Sequence, residues 1–144
     1  MSRIVWRDQM SIGIREIDDD HRALLDLINQ MGDLAQPETL DRAKMADCLL
    51  RLIRYTRDHF NREEQLMASV HFPGIAKHQK FHDTFAESIL SQSQRFVDNP
   101  EAVTACSVHA ILSDWVLRHV VGADRDIIPH LGTQIPVNTV QWTP

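Results

Sequence analysis

No stretch of this sequence approaches the roughly 20 consecutive apolar residues that a membrane-spanning helix needs. Lysine and arginine form no cluster, and the formal net charge is −5, so neither nucleic acid nor an anionic membrane is an expected partner. Cysteine is scarce: Cys48 and Cys106 stand far apart and form no CxxC or CxxCH. That excludes a disulfide framework, a zinc finger and c-type haem attachment. The opening MSRIVWRDQM lacks the apolar core of a secretory leader. With free thiols, this predicts a cytoplasmic setting. Internal repeats and low-complexity tracts are also missing.

What remains is an ordinary globular composition, 43% hydrophobic and 24% charged over 144 residues, the size of one domain. The unusual feature is eight histidines. Breakers divide the chain into four helical segments after an irregular arm over residues 1–17, which contains Trp6 and Gly13. The first helix is predicted over 18–35, with Asp18 as N-cap. The second covers 38–69, after Pro37, and ends at the turn His71-Phe72-Pro73-Gly74. The third spans 75–97, and the fourth runs from Glu101, after Asn99-Pro100, to at least Val121. A tail from Thr133 reads as non-helical, giving a domain over 1–132 and a tail over 133–144. Long helices with short connections predict an all-α, up-down-up-down four-helix bundle.

Each helix has a seam at the 3-4 spacing of core positions. The seams read His21, Leu24, Ile28, Met31; Leu49, Leu52, Thr56, His59, Glu63, Leu66; Ile75, His78, His82, Phe85, Ile89, Gln92, Phe96; and Val108, Leu112, Trp115, His119. A core-facing seam should be aliphatic or aromatic, yet polar groups interrupt all four. Burying five imidazoles and a carboxylate without partners costs several kcal/mol, as about 1–3 kcal/mol attaches to each unsatisfied group. A metal centre removes that cost. Two pairs, His59 with Glu63 and His78 with His82, stand four apart on one helix face and can reach one centre. Asp124 differs. It follows His119 by five residues, about 140° around a regular helix. Spacing alone does not choose it over Asp126; a helix end near Gly122 would bring it inward. His71, His109 and His130 lack partners at ligand spacing and read as structural or surface residues. Glu64 points about 100° away from Glu63 and reads as exposed.

The pattern His21, His59-x3-Glu63, His78-x3-His82 and His119-x4-Asp124 resembles the ligand set of the hemerythrins. Flanking residues are similar to those of the single-domain bacterial branch. They include Gly13-Ile14, Ile17-Asp18, His59-Phe60, Glu63-Glu64, Met67 and Trp115. The resemblance covers about residues 6–130. It implies that Asp124 is the seventh ligand and that two iron ions with a bridging oxo or hydroxo group form the cofactor. Glu63 and Asp124 would bridge both irons. His78, His82 and His119 would complete one, and His21 and His59 the other. Two six-coordinate irons then keep one open position, on the iron with two histidines. O2 is the implied ligand, and small anions would bind the oxidised site. The chain would bind O2 reversibly, for carriage, storage or delivery to an unidentified recipient protein, and would not be an enzyme. Carboxylate-rich di-iron enzymes carry Glu-x-x-His motifs, and none occurs here. A sensor, a peroxidase or a nitric-oxide-handling enzyme would use the same centre. An apolar O2 pocket is expected from Leu24, Phe60, Phe85, Trp115, Val116 and Val120, excluding water from the site.

Overall fold

The structure is a computed structural model and describes residues 3–34, 41–98 and 105–134. An extended arm with one 3-10 turn (Asp8–Met10) leads into α1 (Arg15–Leu34). Then follow α2 (Arg42–Ser69), α3 (Ile75–Asp98), α4 (Ala105–Val121), a 3-10 turn (Ala123–Ile127) and a short α5 (Ile128–Gln134). No strand occurs among the described residues. In the bundle, α1 packs on α2 and α4, α2 on α3, and α3 on α4. Sequential helices are therefore neighbours, as in an up-down-up-down bundle.

The seams face inward. Ile17, His21, Leu24, Ile28 and Met31 of α1 are buried, as are Leu49, Leu52, Thr56, His59, Glu63 and Leu66 of α2. Phe85, Ile89 and Phe96 of α3 meet Leu112, Val116 and Val120 of α4 in the same core. Each such burial contributes about 1.5–3 kcal/mol. A second, smaller core joins the arm to the far end of α2 and to the turn after α4: Ile12, Ile14 and Ile17 pack with Leu66, Met67, Val70, Phe72 and Ile127.

Two boundaries differ from expectation. The first helix starts at Arg15, so Asp18 lies inside its first turn and is not its N-cap. Its carboxylate reaches back instead, accepting from Ser11 Oγ and from the Ile12 N–H at 2.9 Å. Gly13 lies between them at φ 83°, a conformation that suits a residue without Cβ. Asp41 caps α2, accepting from the Lys44 N–H at 3.1 Å. The expected starts at Glu38 and Glu101 lie outside the described residues, as do the side chains of Cys106 and Val108 and everything beyond 134. The second difference is α5: Thr133 and Gln134 are helical, where a non-helical tail is expected. Pro129 is tolerated because it sits in the first turn of α5, where backbone N–H groups have no intrahelical partner.

The turn after α2 is a C-cap in which His71 takes φ 53° and the Phe72 N–H donates to Met67 O at 2.9 Å. His71 is exposed, and His130 lies edge-on to Phe72 at 5.1 Å. His109 is buried against Gly32 of α1, 3.4 Å from Ser113 Oγ.

Candidate metal centre

All four long helices, and the turn after α4, send polar side chains to one point in the bundle. His21 comes from α1, His59 and Glu63 from α2, His78 and His82 from α3, His119 from α4 and Asp124 from the turn. All seven are buried, none more than 3% exposed. The distances are those of direct contact. Glu63 Oε1 lies 2.9 Å from His59 Nε2, 3.2 Å from His82 Nε2 and 3.1 Å from His119 Nε2. Asp124 Oδ2 lies 2.7 Å from His21 Nε2, and its Oδ1 lies 3.0 Å from His78 Nε2 and 2.8 Å from His119 Nε2.

The donor atoms fall into two groups, each small enough to surround one ion. Glu63, His78, His82, His119 and Asp124 make one; His21, His59, Glu63 and Asp124 make the other. Within each, the ligand atoms lie within 4.8 Å of one another. The two carboxylates belong to both.

Asp124 reaches the centre because α4 breaks at Gly122. A regular helix would place it about 140° from His119. Here the Gly122 N–H closes the last turn onto Arg118 O at 2.9 Å, and the chain tightens into the 3-10 turn. A Cβ at Gly122 would stand 2.6 Å from that same carbonyl.

The polar atoms in this cluster are poorly satisfied by hydrogen bonds. His21 Nδ1 and Nε2, His59 Nε2, His78 Nε2 and both oxygens of Asp124 are buried without a partner of good geometry. Buried polar atoms ordinarily find one. The electrostatics are just as strained. Burial alone would favour neutral imidazoles, but Asp124 and Glu63 outweigh it and raise His21 to about 10 and His78 to about 9. Burial, and for Asp124 the charge of Glu63, would raise the carboxylates; the surrounding imidazoles outweigh this and hold both well below the usual range. The two carboxylates thus favour positive charge at this point in the bundle. A bound cation would supply that charge, its binding coupled to release of protons from the ligands. Imidazole and carboxylate together suit a borderline cation such as iron.

Outside the cluster, carboxylates hold two of the imidazoles from behind. His59 Nδ1 lies 3.1 Å from Asp20 Oδ2. Asp20 in turn accepts two bonds of 2.7 Å from the Arg62 guanidinium and one from Tyr55 OH at 3.2 Å. His82 Nδ1 lies 2.9 Å from Glu64 Oε2. Glu64 is therefore half-buried and engaged, not the freely exposed residue expected: its longer side chain swings back to α3. Such partners fix the tautomer and ring orientation of a ligand histidine. Sequence reading missed Asp20, Arg62 and Tyr55. The signal available was Tyr55-x3-His59-x2-Arg62, three residues on one face of α2.

The sequence matches a known family. The model of the hemerythrin HHE cation binding domain matches residues 12–131. This chain belongs to the hemerythrin family. It is 30% identical over 125 residues to a bacteriohemerythrin of Stenotrophomonas maltophilia (strain R551-3), covering 87% of this chain and 79% of that one. It is 28% identical over 126 residues to a bacteriohemerythrin of Clostridium acetobutylicum, covering 86% and 98%. A myohemerythrin of Riftia pachyptila is 30% identical over 123 residues, covering 85% and 89%. A non-haem iron centre is what a hemerythrin domain implies, and the cluster described here is chemically fit to hold it.

Aromatic rings cover one side of the cluster. Phe60 stacks on His82 at 3.7 Å, Trp115 on His119 at 4.4 Å, and Phe85 on Trp115 at 3.4 Å. Leu24, Phe60, Phe85, Val116 and Val120 are buried in the main core, and Trp115 packs against it partly buried. Beside Trp115 a cleft of about 510 Å³ between α3 and α4 reaches His119 from the surface, lined also by Lys77, Phe81 and Arg118. No helix among the described residues is long and apolar enough to cross a membrane.

Proposed function

We propose that this hemerythrin-family chain binds O2 reversibly at a di-iron centre held by His21, His59, Glu63, His78, His82, His119 and Asp124. The observation that carries this reading is the sharing of Glu63 and Asp124 by two buried donor groups. One group adds three imidazoles, the other two. Seven donors exceed the four of a structural zinc site and suit two cations about as far apart as a carboxylate can bridge. The iron pair, when bound, would supply the electrons that hold O2 and recover them on its release.

The protein's residues do the rest. Glu63 and Asp124 would give negative charge to both cations, and the surrounding imidazoles hold both carboxylates well below the usual range. Asp20, fixed by Arg62, and Glu64 orient His59 and His82 for ligation. The group with two imidazoles carries fewer protein donors, which favours it as the side where a small ligand would add. Leu24, Phe60, Phe85, Val116 and Val120, buried in the main core, would keep water from that side of the cluster and so favour reversible binding over irreversible oxidation. Five imidazole donors against two carboxylates also favour binding over oxygen activation, which in bundle di-iron enzymes draws on more acidic ligands. The same geometry would serve an O2 or redox sensor, a reading favoured by the bonds that tie the arm to the turn carrying Asp124.

The test is a visible spectrum of protein loaded with Fe(II) without air, then exposed to air, then flushed with argon. A band that grows in air and fades under argon is expected. A stable oxidised spectrum that argon leaves unchanged would overturn reversible binding and leave redox chemistry as the better account.

A further inference from the structure

Of the proposed ligands, Asp124 is the only one carried outside the four long α-helices, on the short 3-10 turn Ala123–Ile127. Its carboxylate touches only imidazoles that are themselves proposed ligands. Nothing else in the described structure holds that carboxylate, so its position must come from the backbone of the turn.

Two side chains anchor that backbone, and both reach the N-terminal arm. Ile127 is buried in the small core with Ile12 and Ile14. Arg125, the residue after Asp124, donates through Nη1 to Gln9 O and to Ser11 O, the latter at 3.0 Å. These are bonds from a cation to two carbonyls of a segment over a hundred residues away in sequence. The gripped stretch of arm is itself rigidly made. The Met10 and Ser11 N–H groups close the 3-10 turn onto Arg7 O and Asp8 O. Asp18, in the first turn of α1 and three residues before His21, takes Ser11 Oγ and the Ile12 N–H. A short chain of bonds thus runs from α1 through the arm and Arg125 to Asp124.

We propose that Arg125 is a positioning residue: it straps the turn bearing Asp124 to the N-terminal arm, so that metal binding and the order of the arm are coupled. This rests on Asp124 being a ligand. The arm supplies no ligand of its own, yet it decides where one ligand stands. Coupling is reciprocal. An arm held in place raises metal affinity, and a metal that fixes Asp124 tightens the arm. The arm is then the part of this fold that can report the state of the centre to its surface.

Two measurements on the full chain test this. One is Fe(II) affinity under anaerobic conditions, by competition with a chromophoric chelator. The other is amide exchange at Met10, Ser11 and Ile12 with and without Fe(II). In the unaltered protein, iron is expected to slow exchange at these amides. Arg125→Ala is expected to weaken iron binding about 10- to 100-fold, the usual range for a group that orients a ligand, and to abolish the iron-dependent slowing. Arg125→Lys, which can still donate to one carbonyl, is expected to recover part of both. Asp18→Asn frees the arm from the other side, leaves Arg125 intact, and is expected to reduce the slowing as well. A strap of merely structural worth would lower thermal stability in Arg125→Ala while affinity and iron-dependent exchange stayed unchanged; that result overturns the proposal. If Arg125→Ala does not fold, unchanged coupling in both Arg125→Lys and Asp18→Asn overturns it equally. Asp124→Asn separates the two layers of argument. Lost iron affinity there, with an unaltered Arg125→Ala, leaves Asp124 a ligand and removes the strap. Unaltered affinity in Asp124→Asn removes the ligand assignment itself.

Discussion

Glu63 and Asp124 face the same cluster from two very different supports. Glu63 stands near the end of a regular helix of 28 residues, four positions after His59. The helix fixes its direction, and neighbouring turns fix the helix. Asp124 stands on a turn of five residues that exists because α4 breaks at Gly122. Its direction depends on a missing Cβ, on Ile127 in the small core and on Arg125 gripping the arm. A ligand on a helix follows from local spacing, whereas a ligand on a broken turn is placed by tertiary contacts.

That difference sets the order of expected effects. The largest is Glu63→Ala. It removes a carboxylate common to both donor groups and leaves buried imidazoles facing one another. Metal content should fall to background, and thermal unfolding of the metal-free protein should show a loss of about 3–5 kcal/mol, the usual cost of stripping one partner from a buried charged cluster.

Next is Asp20→Asn, which acts on the helical side of the comparison through His59. Iron affinity should drop about 10- to 100-fold in chelator competition, with the bundle otherwise intact. This variant also carries a pH signature. Burial would raise the Asp20 carboxyl, but His59 and Arg62 outweigh it and lower it below 3.8. Its folded value is depressed, so its contribution to stability is full above the unfolded value and is lost as pH falls through the folded one. Acid titration of the variant should lack this part of the loss, checked by the midpoint of acid unfolding.

A pair of glycine substitutions sharpens the comparison further. Gly122→Ala puts a methyl group 2.6 Å from Arg118 O, and Gly32→Ala puts one 2.8 Å from His109 Nε2. Each should cost about 1–3 kcal/mol by overpacking. Gly122→Ala alone should also lose iron, because it moves Asp124; Gly32 lies away from the cluster. Equal iron content in the two variants would break the claim that the turn is a placed element. The smallest effect is expected for Glu64→Gln. Glu64 is 28% exposed at its side chain, and the amide oxygen can still accept from His82 Nδ1. A change in iron affinity of about threefold or less is expected, below the range for a buried orienting carboxylate.

How much of this was legible in the sequence follows the same line. The four helices and the inward placement of His21, His59, Glu63, His78, His82 and His119 follow from 3-4 spacing, because each helix is regular where it carries them. The spacing of Asp124 from His119 does not lead inward, and its selection over Asp126 rested on resemblance to the hemerythrins. The structure shows why: the helix stops at Gly122, and what replaces it is decided by the arm and by α2. Asp20 escaped notice for a related reason, since its partner His59 lies 39 residues away on another helix. Asp18 stands where the sequence suggests a cap, but it reaches back to the arm, whose path no periodicity describes. The helix at 128–134 was hidden by Pro129 and Gly132, which look like breakers in sequence.

The most direct test of the central claim is O2 uptake measured against iron content on the same anaerobically loaded sample. The account expects two irons per chain, one for each donor group, and one O2 taken up per iron pair and recovered under argon. A single iron per chain, or O2 consumed and not returned, would contradict it.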